Sequence, residues 1–285
     1  MTAAAPDSTA TMERIAELLA AFRLPTLATE LVSRVVAAGR ADILPLLAEI
    51  LELEAGDRRE RRVDRLRRAS RLPPGKTFAT LDEPRLPRPL AHKLRELARG
   101  DFLDRAVNVL AFGLPGVGKS HAMCALGHAL VEAGRSVLFA PTFQLVQELL
   151  AAKRDLDLPR ALRRLDLYDA VILDDIGYVQ QSPDEIEVLF TFLAERYERR
   201  SVLITSNLVF SEWDRIFKNP MTTAAAIDRL VHHSVILEFA VPSFRSEKAT
   251  GDKAAAAKAD NPKAVADNYP ARADNYPKAV KAKAK

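Results

Sequence analysis

Gly113-Leu114-Pro115-Gly116-Val117-Gly118-Lys119-Ser120, in a chain of 285 residues, decides how everything else is read. The eight residues fit G-x-x-x-x-G-K-[ST]. Val107-Asn108-Val109-Leu110-Ala111-Phe112 comes just before and predicts a buried strand. His121 to Ala133 follows and predicts a helix closed by Gly134. Gly113, Gly116 and Gly118 carry no Cβ, so the backbone can curl and approach an anion closely. The helix N-terminus adds free N–H groups and partial positive charge. The stretch therefore predicts a P-loop that cradles a triphosphate. Lys119 is expected on the β- and γ-phosphates, and Ser120 is expected to give its hydroxyl to Mg²⁺.

A second run completes such a site. Ala170-Val171-Ile172-Leu173-Asp174-Asp175 is apolar and ends in two carboxylates. Four apolar residues suit a strand buried on both faces of a parallel sheet. Acids at its carboxyl end face the crevice where such sheets bind ligands. Asp174 is expected to hold Mg²⁺ through water, and Asp175 to orient or deprotonate the attacking water. Ser201-Val202-Leu203-Ile204-Thr205-Ser206-Asn207 is another apolar strand with a polar end. There Asn207 could bond the γ-phosphate or the water, or simply terminate the strand.

Composition narrows the class. Hydrophobic residues make up 48%, enough for a packed core. No apolar stretch approaches the ~20 residues of a membrane helix. Met1-Thr2-Ala3-Ala4-Ala5-Pro6 lacks the features of a secretory signal. The single cysteine, Cys124, excludes an internal disulfide and suits a reducing cytoplasm. A cytoplasmic chain with no membrane partner is expected. Aromatics at 6% are too few for a base-stacking platform, so Trp213 is read as packing. His232 and His233 are adjacent, but no cysteine or histidine cluster in the sequence accompanies them. No metal beyond Mg²⁺ is expected from them.

The charge is uneven. Asp57 to Arg71 holds eight arginines against three acids, and Lys248 to Lys285 holds eight lysines and one arginine against four aspartates. Two segments of +5 each against a total of +4 leave the remainder at −6. Basic flanks on a mildly acidic body suit nucleic-acid contact. Arg58, Arg62, Arg65 and Arg68 are three or four apart, hence on one helical face. They could line up on a phosphate backbone without reading bases. The alternative is a solvated face with local Glu–Arg pairs.

Four regions follow along the chain. Residues 1–75 predict a small all-helical domain, disordered to about residue 11. Its stripes are Ile15, Leu18, Leu19, Phe22, then Leu27, Ala28, Leu31, Val32, Val35, then a third helix from about Pro45 towards Arg71. Leu72-Pro73-Pro74-Gly75 stops it. Residues 76–100 are a connector with a helix near Leu90 to Ala98. Residues 101–247 alternate five strands with helices, which predicts an α/β fold with a parallel doubly wound sheet. One of these helices should open at Ser182-Pro183-Asp184-Glu185, a capping-box pattern, and run to Arg200. Residues 248–285 are a low-complexity basic tail, expected to be disordered.

These blocks, in this order, resemble the IstB/DnaC-like ATPases, a branch of the AAA+ superfamily, over roughly Met12 to Lys248. The telling segments are Asn108-Val109 before the P-loop, Leu173-Asp174-Asp175-Ile176-Gly177-Tyr178, Glu195-Arg196-Tyr197-Glu198, Ile204-Thr205-Ser206-Asn207, Ala226-Ile227-Asp228-Arg229-Leu230-Val231-His232 and Ser243-Phe244-Arg245. The resemblance implies an AAA+ ATPase fold and three further roles. Asn207 falls at the sensor-1 position. Arg229 falls at the arginine finger, acting on ATP held by a neighbouring subunit. Arg245 falls at sensor 2, contacting phosphates of its own subunit. Members form rings or spirals around DNA; IstB-type proteins assist a transposase, and DnaC-type proteins load a replicative helicase. The expectation is thus an ATP- and Mg²⁺-dependent homo-oligomer on duplex DNA that helps a transposase choose its target. A helicase loader is the alternative within the family, and a nucleotide-gated DNA scaffold with negligible hydrolysis the alternative outside it. One departure matters: the family usually ends this acidic strand in Asp-Glu, and Asp175 is shorter by one methylene, ~1.5 Å. Slow basal turnover is expected.

Overall fold

The computed structural model describes residues 8–177, 182–217 and 220–243. Three helices open the chain: α1 (Ser8–Ala21), α2 (Pro25–Ala37) and α3 (Leu44–Ala69). Helix α1 begins inside the stretch expected to be disordered. Met12 lies three residues before Ile15 and packs into the same cluster with Leu19 and Leu44, so the apolar face reaches a turn further back. Helix α3 serves two cores. Its first half meets α1 and α2, while Val63 and Leu66 near its end join the cluster of the α/β body. A short helix, α4 (Arg88–Leu97), buries Leu90, Leu94 and Leu97 on that body.

The sheet has strands β1 (Asn108–Phe112), β2 (Val137–Pro141), β3 (Ala170–Asp174), β4 (Ser201–Ser206) and β5 (Ser234–Glu238), in the order β2-β3-β4-β1-β5. All four pairings are parallel. Side chains alternate between faces. Val109, Ala111, Ile172 and Leu203 face one core, with α3, α4 and α5 (Lys119–Glu132). Leu110, Phe112, Val171, Leu173 and Ile204 face the other. That second face is covered by α6 (Thr142–Arg154), α7 (Leu158–Leu165), α8 (Pro183–Arg196), α9 (Asp214–Phe217) and α10 (Pro220–Val231). Burial on both faces explains the near-continuous apolar runs. Cys124 is fully buried in α5, and that burial pushes its thiol up to about 12. Trp213 is also fully buried, between Phe112 and Phe217, and its indole N–H donates to the Leu208 carbonyl at 3.2 Å.

Helix α8 starts where the capping-box pattern places it. The Glu185 N–H donates to Ser182 Oγ at 3.3 Å, and the Ser182 N–H donates to the Glu185 carboxylate at 2.6 Å. It ends at Arg196, four residues before the expected Arg200. The cause is Arg196 itself, only 1% exposed. Its guanidinium donates to the carbonyls of Leu165, Tyr168 and Ser201 at 2.9–3.0 Å. The chain must turn at once to bring Ser201 within reach. Tyr197 becomes extended (φ −53°, ψ 127°) and Glu198 left-handed (φ 56°). Burial pulls the Arg196 guanidinium down to about 10, still charged at neutral pH.

Candidate nucleotide site

The loop between β1 and α5 is shaped by its glycines. A Cβ at Gly113 would stand 2.7 Å from the Phe239 carbonyl oxygen, so β5 closes against this point only because it is glycine. Gly118 caps α5 at φ 98°, a conformation that costs other residues energy. The loop borders a cavity of about 480 Å³ at the carboxyl ends of the strands. Pro115, Gly116, Gly118, Lys119, Ser120, Asp175, Thr205 and Asn207 line it.

Inside it the side chains form one chain of contacts. Lys119 is 6% exposed, and its ammonium donates to Gly113 O at 2.7 Å, Leu114 O at 2.9 Å and Asn207 Oδ1 at 2.5 Å. Those contacts match the three donors of an ammonium. Asn207 Nδ2 in turn donates to Asp175 Oδ1 at 3.1 Å. Asp175 leaves β3 in the left-handed region, φ 61°, which aspartate tolerates better than most residues. Its N–H donates to Thr205 Oγ1 at 2.7 Å, and the same hydroxyl donates to Asp174 Oδ1, also at 2.7 Å. Asp174 is therefore fixed behind Thr205 and is not among the residues lining the cavity.

Lys119, Ser120, Asp175 and Asn207 thus meet in one place, with Asp174 adjoining. Val117 is fully buried beneath the loop, and Leu114 is exposed on it. Arg229 lies elsewhere, on α10. Its guanidinium carbon sits 4.7 Å from the centre of the Phe190 ring, and its buried Nη1 has no hydrogen-bond partner among the described residues. Arg245 lies outside the described residues. The candidate DNA-contacting arginines are exposed on α3, and three have partners within the chain. Arg58 pairs with Glu54 at 2.5 Å and covers the Phe22 ring, Arg62 donates to Gly134 O, and Arg68 donates to Asp64 O.

Sequence reasoning missed two parts. Thr205 was the first, although a hydroxyl in a fully buried strand had to find a partner. The second is the connector: Lys76, Thr80, Leu81 and Asp82 form the cavity's outer wall. His121 Nε2 holds that wall through Thr80 Oγ1 at 3.0 Å and Thr77 O at 3.2 Å. No motif spacing links residues 76–82 to the loop; only the fold does. Among the described residues, no helix is long and apolar enough to cross a membrane.

A five-stranded parallel sheet in this order, with the glycine-rich loop after β1, defines a P-loop fold of the AAA+ kind. A DnaI structure superposes with a TM-score of 0.50 at 19% identity, covering 59% of this chain and 95% of that one. AMPPCP-bound DnaA from Aquifex aeolicus gives 0.51 at 16%, covering 69% and 60%. At such identities the likeness is one of fold. The family model described as IstB-like ATP binding protein matches residues 17–251, and the chain belongs to that family. An insertion sequence ATP-binding protein of Sinorhizobium fredii is 45% identical over 204 residues, 71% of this chain and 68% of that one. The corresponding protein of insertion sequence IS5376 from Geobacillus stearothermophilus is 32% identical over 235 residues, 82% and 94%.

Proposed function

We propose that this chain is an ATPase that oligomerises on duplex DNA and assists a transposase in selecting its target. The observation that carries the reading is the run Lys119–Asn207–Asp175 along one wall of the cavity beside the glycine-rich loop. It joins a phosphate-seeking cation to a carboxylate placed to handle water. The names of the relatives, ATP-binding proteins of insertion sequences, support the transposition setting.

The residues fit a magnesium–nucleotide complex on their own chemistry. Gly113, Gly116 and Gly118 take positive φ and let the loop curl, the α5 N-terminus and Lys119 supply positive charge, and Ser120 and Asp174 supply hard oxygens. Ser120 would hold Mg²⁺ directly and Asp174 through water, and the ion when bound would neutralise charge on the phosphates. Lys119 would exchange its carbonyl and Asn207 partners for β- and γ-phosphate oxygens. Asn207, released on one side, keeps Asp175 turned into the cavity. Asp175 orients the attacking water and accepts its proton. Arg229 is not among the residues that line this cavity; it serves a neighbouring subunit, where its fork neutralises charge on two oxygens. Arg245 contacts phosphate in its own subunit. Arg58, Arg62, Arg65 and Arg68 lie along a DNA backbone; the surface pairs that three of them now make are weak enough to exchange.

A second reading has one observation in its favour. The Asp175 carboxylate is short and already engaged by Asn207. ATP would then serve as an assembly ligand with negligible hydrolysis, stabilising the oligomer by linkage. Calorimetry with ATP and Mg²⁺ tests the part common to both readings. The native chain should bind, and Lys119→Ala should weaken binding by at least about 100-fold, the loss of a charge-assisted contact in a shielded site. Equal affinity in the variant would remove both readings.

A further inference from the structure

At the end of the sheet opposite the nucleotide cavity, two turns bring metal-ligating side chains together. Glu198 lies in the turn between α8 and β4, and His232 and His233 lie in the turn between α10 and β5. Glu198 Oε1 is 3.6 Å from His233 Nε2 and 4.0 Å from His232 Nδ1. One ligand atom from each of the three falls within 4.8 Å of the others. The imidazole rings stand edge to face with centroids 4.3 Å apart.

The backbone beneath is built to keep these turns together. Asn108, 7% exposed at the start of β1, bridges them. Its Nδ2 donates to Leu230 O at 3.2 Å, its Oδ1 accepts from the Val202 N–H at 2.9 Å, and its own N–H donates to His233 O at 2.8 Å. One buried amide therefore fixes β4's start against the histidine turn. Glu198, in the left-handed turn that follows Arg196, directs its carboxylate at both rings. One divalent cation could take a ligand atom from both rings and from the carboxylate at once.

We propose that Glu198, His232 and His233 bind a divalent transition metal of the zinc class, clipping the α8–β4 turn to the α10–β5 turn. Imidazole nitrogen with one carboxylate suits Zn²⁺, Co²⁺ or Ni²⁺ rather than Mg²⁺. Bonds of about 2.1 Å in a tetrahedron put ligand atoms about 3.4 Å apart, so the site closes by roughly an ångström. All three side chains are about half exposed. The metal displaces the Tyr197 hydroxyl, which now lies 3.1 Å from His232 Nδ1. A fourth position stays open to water or to a ligand from a second molecule. The site is independent of the proposed function, because it shares no residue with the nucleotide cavity.

The test uses the full chain without a histidine tag, stripped of metal and free of nucleotide. Co²⁺ is titrated by visible absorption and Zn²⁺ by calorimetry. One equivalent should bind, with the intense absorption of four-coordinate Co²⁺. Glu198→Gln and His233→Asn should each weaken binding at least 30-fold, and the triple variant with His232→Asn should abolish it. These positions are exposed, so the variants fold, and circular dichroism checks that. Binding should persist in Asp174→Asn. No binding to the native chain, undiminished binding to the triple variant, or loss of binding in Asp174→Asn would each overturn the site.

Discussion

At Asp175 backbone and side chain work together. The left-handed turn at φ 61° swings the chain off β3, and Thr205 Oγ1 accepts its N–H, so the short carboxylate enters the cavity and meets Asn207. On the proposed reading, losing it leaves phosphate binding to Lys119 intact while removing the group assigned to handle water. Asp175→Ala should therefore keep ATP affinity within about threefold and lower turnover by about 10²–10⁴, the usual worth of a general base. Single-turnover phosphate release measures it; unchanged turnover would show that Asp175 is no base, and undetectable turnover in the native chain would favour the scaffold reading. Much of this cavity could be read from the sequence, because phosphate chemistry demands particular residues at fixed spacing along one segment. Thr205 and the wall from Lys76 to Asp82 could not be. They reach the cavity through strand pairing and the His121–Thr80 contact, neither of which leaves a local pattern.

Among the elements, α8 shows where local signals suffice and where they fail. Its start is written in four consecutive residues, and both capping bonds are present. Its end is written nowhere nearby. Helical spacing continues past Arg196, yet the helix stops because a buried guanidinium must satisfy carbonyls from α7, the following turn and β4. A tertiary requirement overrides propensity there. The same contrast appears at α1, whose start depends on Met12 reaching a core shared with α3. The cap lends itself to measurement. Ser182→Ala removes the acceptor for the Glu185 N–H and should cost about 1 kcal/mol, while Ser182→Asp should restore most of it. Urea denaturation monitored by circular dichroism should show the alanine midpoint lower with an unchanged slope. Equal midpoints would mean the capping bonds contribute nothing net.

For the whole molecule, the order β2-β3-β4-β1-β5 places the two acid- and loop-bearing strands, β3 and β1, on either side of β4. Asn207 at β4's end can therefore touch Lys119 from one neighbour and Asp175 from the other. Alternation of strands and helices made a parallel sheet legible in the sequence, but not this order, which depends on crossovers longer than any local signal. The same geometry leaves Arg229 outside the cavity, its guanidinium against Phe190 and one buried nitrogen lacking a hydrogen bond among the described residues. On the proposed reading, a second subunit presents an anion to this guanidinium. Light scattering should then show the native chain growing from small species to a larger assembly when ATP, Mg²⁺ and duplex DNA are added together. Arg229→Ala should bind ATP with nearly native affinity, because its own cavity is untouched, yet lose about 10³-fold or more in turnover, as removal of a finger supplied in trans does. Mixing it with Lys119→Ala should partly restore turnover, since in some contacts an intact Arg229 then faces an intact cavity. A native chain that stays monomeric under every condition, or a mixture no more active than its parts, would show that Arg229 serves no neighbour and that the cavity works alone.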